Sequence, residues 1–160
     1  MTTYQEYKDN RQTQYNNWSN KYAFYAFSDE QFQKGMKKFG LPVNKEGFSK
    51  IYSGPAGLFY LREGSDALKK FLNSDNIEEL IQSDDKFALD AFRYEMANHE
   101  YFYNYQADYD VCSCFCNCEY GDTKDYRDYL KEGGYSEHVI DLYRTAKEQE
   151  RQYWIENDYM

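Results

Sequence analysis

No stretch of this 160-residue chain approaches the roughly 20 consecutive apolar residues of a membrane span. The start, MTTYQEYKDN, is polar and lacks the apolar core of a secretory leader. The expectation is a soluble protein of a reducing cytoplasm that touches no membrane. Paired C-x-x-C knuckles are also missing, which removes the most specific zinc signature. There is no internal repeat and no low-complexity linker, so neither a solenoid nor a tethered array is indicated. Positive charge is scarce: 19 Lys and Arg stand against 28 Asp and Glu, for a net charge of −9.

That deficit is uneven. Residues 1–50 carry 8 basic and 5 acidic side chains, whereas residues 51–160 carry 11 and 23. The segment 75–132 alone holds 15 acidic and 5 basic residues. Such a surface disfavours direct binding to nucleic acid. It suits a basic partner surface, and it equally suits a face that is only solvated.

What the chain does have is aromatic area, with 19 Tyr and 11 Phe. Tyrosine brings a hydroxyl that must be wet or paired, so this excess belongs at core edges and interfaces. The length fits a single domain over 1–160, with residues 1–20 as a peripheral N-terminal helix. Tyr22–Phe27 reads as a strand. Ser28 and Gln31 form a capping-box pattern for a helix ending at Gly40. Phe48–Tyr52 and Leu58–Arg62 read as strands joined by a turn over 53–57. Ser65 caps the next helix, and 77–81 is a short helical turn. Two apolar stripes over 86–105 place a long helix at the centre. After a cysteine-bearing strand or loop, Asp122 or Thr123 caps a helix over 124–132, and Ser136 caps a last helix to about residue 157. The fold class expected is α+β: five or six helices packed around a small antiparallel sheet.

The densest chemistry lies between Lys86 and Gly121. Cys112, Cys114, Cys116 and Cys118 recur at intervals of two. On a strand, next-nearest side chains stand about 6.5–7 Å apart, too far for four thiolates to share one zinc at about 2.3 Å. The primary expectation is therefore no cofactor and no metal, with the cysteines as small apolar residues. The alternative gathers His99, Glu100, Asp108, Asp110, Cys112 and Cys114 around a divalent ion, as a metal-binding module or a metal-dependent enzyme. Against it, His99 shares a stripe with Phe92, Met96 and Tyr103, which is equally the place of a core-edge histidine paired to a tyrosine or carbonyl.

Several segments bear a resemblance. They are Phe24-Tyr-Ala-Phe-Ser28 before Gln31-Phe32 and Gly35, then Gly57-Leu-Phe-Tyr-Leu61, and above all Tyr94-Glu-Met-Ala-Asn-His-Glu-Tyr101 followed by Asp108-Tyr-Asp-Val-Cys-Ser-Cys-Phe115. With these, residues 20–155 resemble a poorly characterised family carried by phages and mobile elements of gut-type bacteria. The resemblance implies an accessory protein of a mobile element, anti-defence and anti-CRISPR-like in role, expressed in a bacterial cytoplasm. Together with the acidic, tyrosine-rich surface it sets the leading functional expectation. This is a non-enzymatic inhibitor, a decoy whose carboxylates occupy the basic groove of a host CRISPR effector or restriction enzyme. The face expected to make that contact is Asp122, Asp125, Asp128 and Glu132, flanked by Tyr126 and Tyr129. A regulatory protein of the element itself is a further alternative.

Overall fold

Side-chain caps set many of the element boundaries in the computed structural model, which describes residues 2–159. Ser28 accepts the Gln31 amide and opens α2 (Asp29–Lys38), while the Gln31 side chain reaches back to the Phe27 amide at 2.7 Å. Asp84 caps α6 (Asp85–Asn98) and Ser136 caps α9 (Glu137–Glu156). The remaining helices are α1 (Tyr4–Tyr22), α3 (Lys45–Phe48), α4 (Ser65–Asn73), α5 (Ile77–Ser83), α7 (Ala107–Cys112) and α8 (Tyr126–Glu132). Three strands, β1 (Ala23–Tyr25), β2 (Ile51–Ser53) and β3 (Leu58–Leu61), form an antiparallel sheet in the order β1-β3-β2. The chain is thus α+β, as its patterning indicates. No helix among the described residues is long and apolar enough to cross a membrane.

The chain packs as two compact units, residues 8–75 and residues 1–7 with 76–160. The sheet lies wholly in the first. Phe24 and Phe59 pair across strands with rings stacked 5.4 Å apart, and Phe32 of α2 meets Phe59 edge-on at 4.9 Å. Gly35 is what lets α2 approach: a Cβ there would lie 2.0 Å from the Phe24 ring. On the opposite face Trp18 is buried against Tyr60 and donates its indole N–H to the Gly64 carbonyl at 2.9 Å.

The second unit is all helical, and α6 lies against α9 at its core. Phe87, Phe92 and Met96 of α6 and Val139 and Tyr143 of α9 are essentially removed from water. Each such large side chain contributes about 1.5–3 kcal/mol. Phe92 touches both Tyr143 and Phe115 edge to face, at 5.0 and 5.2 Å. Glu150 is buried too, and is answered by the Arg93 guanidinium at 3.3 Å and the Trp154 N–H at 3.0 Å.

Several boundaries depart from the sequence reading. The central helix does not run over 86–105. It stops at Asn98, because Glu100 adopts a left-handed φ of 50° and the Tyr101 amide bonds back to the Met96 carbonyl at 3.0 Å. This is the same C-terminal closure that Gly40 and Gly134 give α2 and α8, here carried by a residue that does not advertise it. Of the strand and loop alternatives for the cysteine segment, the loop holds after Cys112, which ends α7, and the chain coils so that the Cys116 amide meets the Cys112 carbonyl at 3.1 Å. Asp125, not Asp122 or Thr123, caps α8, which begins at Tyr126. Ser65 is the first residue of α4 and not its side-chain cap, since a 3-10 turn over Arg62–Gly64 leads into it.

A left-handed conformation costs a non-glycine residue about 1–2 kcal/mol, and part of that is recovered by glycine despite its greater freedom when unfolded. Glu100→Gly is therefore expected to raise unfolding stability in urea by up to about 1 kcal/mol. A loss of stability would show that the Glu100 side chain, and not its backbone, holds the turn.

Candidate metal centre

The early stop of α6 has a chemical consequence. It places His99 as the C-cap of the helix, half-buried, one turn beyond Glu95 on the same face. The chain then turns, runs through α7 and delivers Cys114 back onto His99. The His99 Nε2 lies 3.6 Å from the Cys114 Sγ and 3.6 Å from a Glu95 carboxylate oxygen. All three donor atoms fall within 4.8 Å of one another. Zinc bonds of about 2.3 Å to sulfur and about 2.0–2.1 Å to nitrogen, opened to a tetrahedral angle, leave an S···N edge of about 3.6 Å. The Cys114–His99 separation matches that edge, and the Glu95 oxygen stands slightly outside the roughly 3.3 Å that two such N and O ligands would span.

Both approaches are to the same imidazole nitrogen. A nucleophilic relay needs the thiol on one ring nitrogen and the carboxylate on the other, so this geometry fits a shared cation better than a Cys-His-Glu nucleophile. Glu95 is the buried end, at 2 % exposure, while His99 and Cys114 reach solvent. Asn98 donates to the same Glu95 oxygen at 3.1 Å, and the Tyr4 hydroxyl donates to the other oxygen at 2.7 Å. Burial, and then the bond to Glu95, push the Tyr4 phenol well above its usual range, so it stays a donor. The Tyr4 amide is held in turn by Asp90 at 2.8 Å, and its ring packs on Phe115, the neighbour of Cys114. These are the outer contacts that orient a ligand set.

The other residues weighed for a metal do not join this group. Asp108 accepts the Tyr101 hydroxyl, Asp110 accepts the Asn104 amide at 2.7 Å, and Glu100 is exposed at the helix end. Cys112, Cys116 and Cys118 are buried. Burial raises the Cys112 thiol, and burial with the contact to Cys118 pushes Cys116 up to about 12, so these two stay protonated and apolar. His99 is paired with a carboxylate and a thiol, not with the tyrosine or carbonyl that its apolar stripe suggests. Sequence reasoning missed Glu95 and Tyr4. The i, i+4 spacing of Glu95 and His99 is a usable signal, masked in the sequence by the adjacent Glu100.

The acidic face proposed for a partner is rearranged as well. Tyr126 and Tyr129 are core residues at 6 % and 1 % exposure, and offer no flanking contact surface. Asp125 and Asp128 cap each other's backbone in a capping box. Glu132 takes Lys124 at 2.6 Å and the Glu119 amide at 2.9 Å, contacts that hold its carboxyl below the usual range. Asp122 remains exposed beside the Tyr120 hydroxyl.

The chain belongs to a family of unknown function, DUF7659, whose model matches residues 3–114. None of the curated proteins and none of the solved structures compared with it matches. The matched segment contains Tyr4, Glu95, His99 and Cys114, whereas Asp122 to Glu132 lie beyond it.

Removing the Tyr4 hydroxyl deprives a buried carboxylate of a donor. Tyr4→Phe is expected to cost about 1–3 kcal/mol of stability, measured by urea unfolding of the metal-free protein. An unchanged midpoint would show that Glu95 does not depend on it.

Proposed function

We propose that the chain is a metal-binding protein whose centre, Glu95, His99 and Cys114, takes a zinc-class divalent cation. The observation that carries this reading is the pair of 3.6 Å separations on His99 Nε2, one to a thiol and one to a carboxylate, with all three donor atoms within 4.8 Å of one another. Thiolate with imidazole selects zinc and its soft neighbours over magnesium or calcium. The surroundings favour any cation: the helical unit carries 8 basic and 21 acidic residues, a net charge of −13. A bound ion would fasten the exit of α7 to the last turn of α6, with water free to complete the coordination from the solvent side. The role is that of a binding module, in which the ion stabilises the 99–114 loop.

The test is a competition titration of purified protein with a chromophoric zinc chelator. One zinc per chain is expected. Glu95→Gln, His99→Ala and Cys114→Ser should each weaken binding at least about tenfold, and Cys118→Ala should not. Affinity should fall as pH is lowered, because protons compete for the imidazole and the thiolate. Binding lost in Cys118→Ala but kept in Cys114→Ser would overturn the assignment.

One observation favours a second reading, the inhibitor of a host nucleic-acid-targeting protein in a bacterial cytoplasm. The charge separates by unit, net −13 in the helical unit and +4 in the sheet-bearing one. An acidic unit of that density suits a basic groove. Its support is charge alone, without Tyr126 and Tyr129. Association with a host effector that weakens steeply with salt is expected. Salt-independent association would remove the reading.

A further inference from the structure

The same acidic unit has a second anomaly, independent of the metal centre. It holds only 8 basic residues, yet four of them, Arg127, Arg144, Lys147 and Arg151, line one cavity of about 390 Å³. Arg127 comes from α8. The other three come from α9, spaced by three and four, so they share a face of that helix.

An ordinary solvated face would neutralise such cations with carboxylates one turn away. Here Arg127 and Arg144 keep weak, half-exposed pairs with Asp125 and Asp141, each at 3.1 Å. Lys147 and Arg151 make no ion pair among the described residues. Glu148 stands four residues after Arg144 and three before Arg151, lines the same cavity, and pairs with neither. Two of the cations rest instead on aromatic rings. The Arg127 guanidinium lies 5.0 Å from the centroid of Tyr126, and the Lys147 ammonium lies between two rings, 5.0 Å from Tyr101 and 5.7 Å from Tyr126. Tyr143 stacks on Tyr126 at 4.8 Å and 13°, which covers one face of that ring. Like charges drawn together this way are relieved by a shared anion.

We infer that the cavity between α8 and α9 is a phosphate site, taking free phosphate or the phosphoryl group of a small monoester. Guanidinium forks match the oxygens of a tetrahedral oxyanion in pairs, and an ammonium adds a point charge. The volume admits a phosphoryl group with a modest substituent. Asp108, Asp125 and Glu148 also line the cavity and disfavour a second anionic group, so the monoester is one with an uncharged remainder.

The experiment is an NMR titration of the wild-type protein with inorganic phosphate and, separately, phenyl phosphate. It is done in chelator and at constant ionic strength set with chloride, so that a failed metal centre leaves it unaffected. Saturable shifts are expected at residues 125–127 and 144–151 with phosphate and not with chloride. Arg151→Gln, and Arg151→Gln with Lys147→Gln, should weaken them at least about tenfold, while Lys69→Gln in the other unit should change nothing. Both targets reach solvent, so the variants should keep the wild-type circular dichroism. Tighter binding of phenyl phosphate identifies a monoester site, and equal or weaker binding a free-phosphate site. Shifts that do not saturate, or a dissociation constant unchanged in Arg151→Gln and in the double variant, would overturn the proposal.

Discussion

A carboxylate at 2 % exposure is the constraint around which the helical unit is arranged. Taking Glu95 out of water is costly unless its oxygens are met. The fold meets them from one distant element and from the helix itself: the hydroxyl of Tyr4 in the first turn of α1, then the amide of Asn98 and the imidazole of His99 one turn on at the end of α6. Each answer fixes something else. Tyr4 anchors the first turn of α1 through Asp90 and packs on Phe115. His99 sits where α6 must end, and the left-handed Glu100 behind it sends the chain round to return Cys114.

The same logic recurs at Glu150, where the partners are Arg93 and Trp154. The difference between the two buried carboxylates is informative. Glu150 is answered by a full positive charge and needs nothing more. Glu95 is answered by the Tyr4 hydroxyl and the Asn98 amide, with the His99 imidazole 3.6 Å away and the Cys114 thiol beyond it, and carboxylate, imidazole and thiol together are a donor set that suits a soft divalent cation.

The sequence made much of the fold legible where local chemistry dominates. The caps at Ser28 and Ser136, the stops at Gly40 and Gly134 and the strand pair around the 53–57 turn all carry their own signals. It misled where a tertiary contact overrode propensity. Glu100 offers no mark of a helix end, so the apolar stripes beyond it were read as one helix. Cysteines at intervals of two imitate a strand, but burial of Cys112, Phe115 and Cys116 in the core coils the segment. Asp125, Asp128 and Glu132 look like a free acidic face, yet they serve as a cap and an ion pair. The candidate metal centre is half visible in the sequence: His99 and Cys114 stand out by type and position, but Glu95 joins them only because α6 ends beside it.

X-ray absorption at the zinc edge of the loaded protein tests this account most directly, because it counts sulfur ligands without reference to activity. One sulfur at about 2.3 Å with nitrogen and oxygen at about 2.0–2.1 Å is the predicted shell. Three or four sulfurs would mean that the cysteine segment itself folds around the ion, and would contradict a centre built on Glu95, His99 and Cys114.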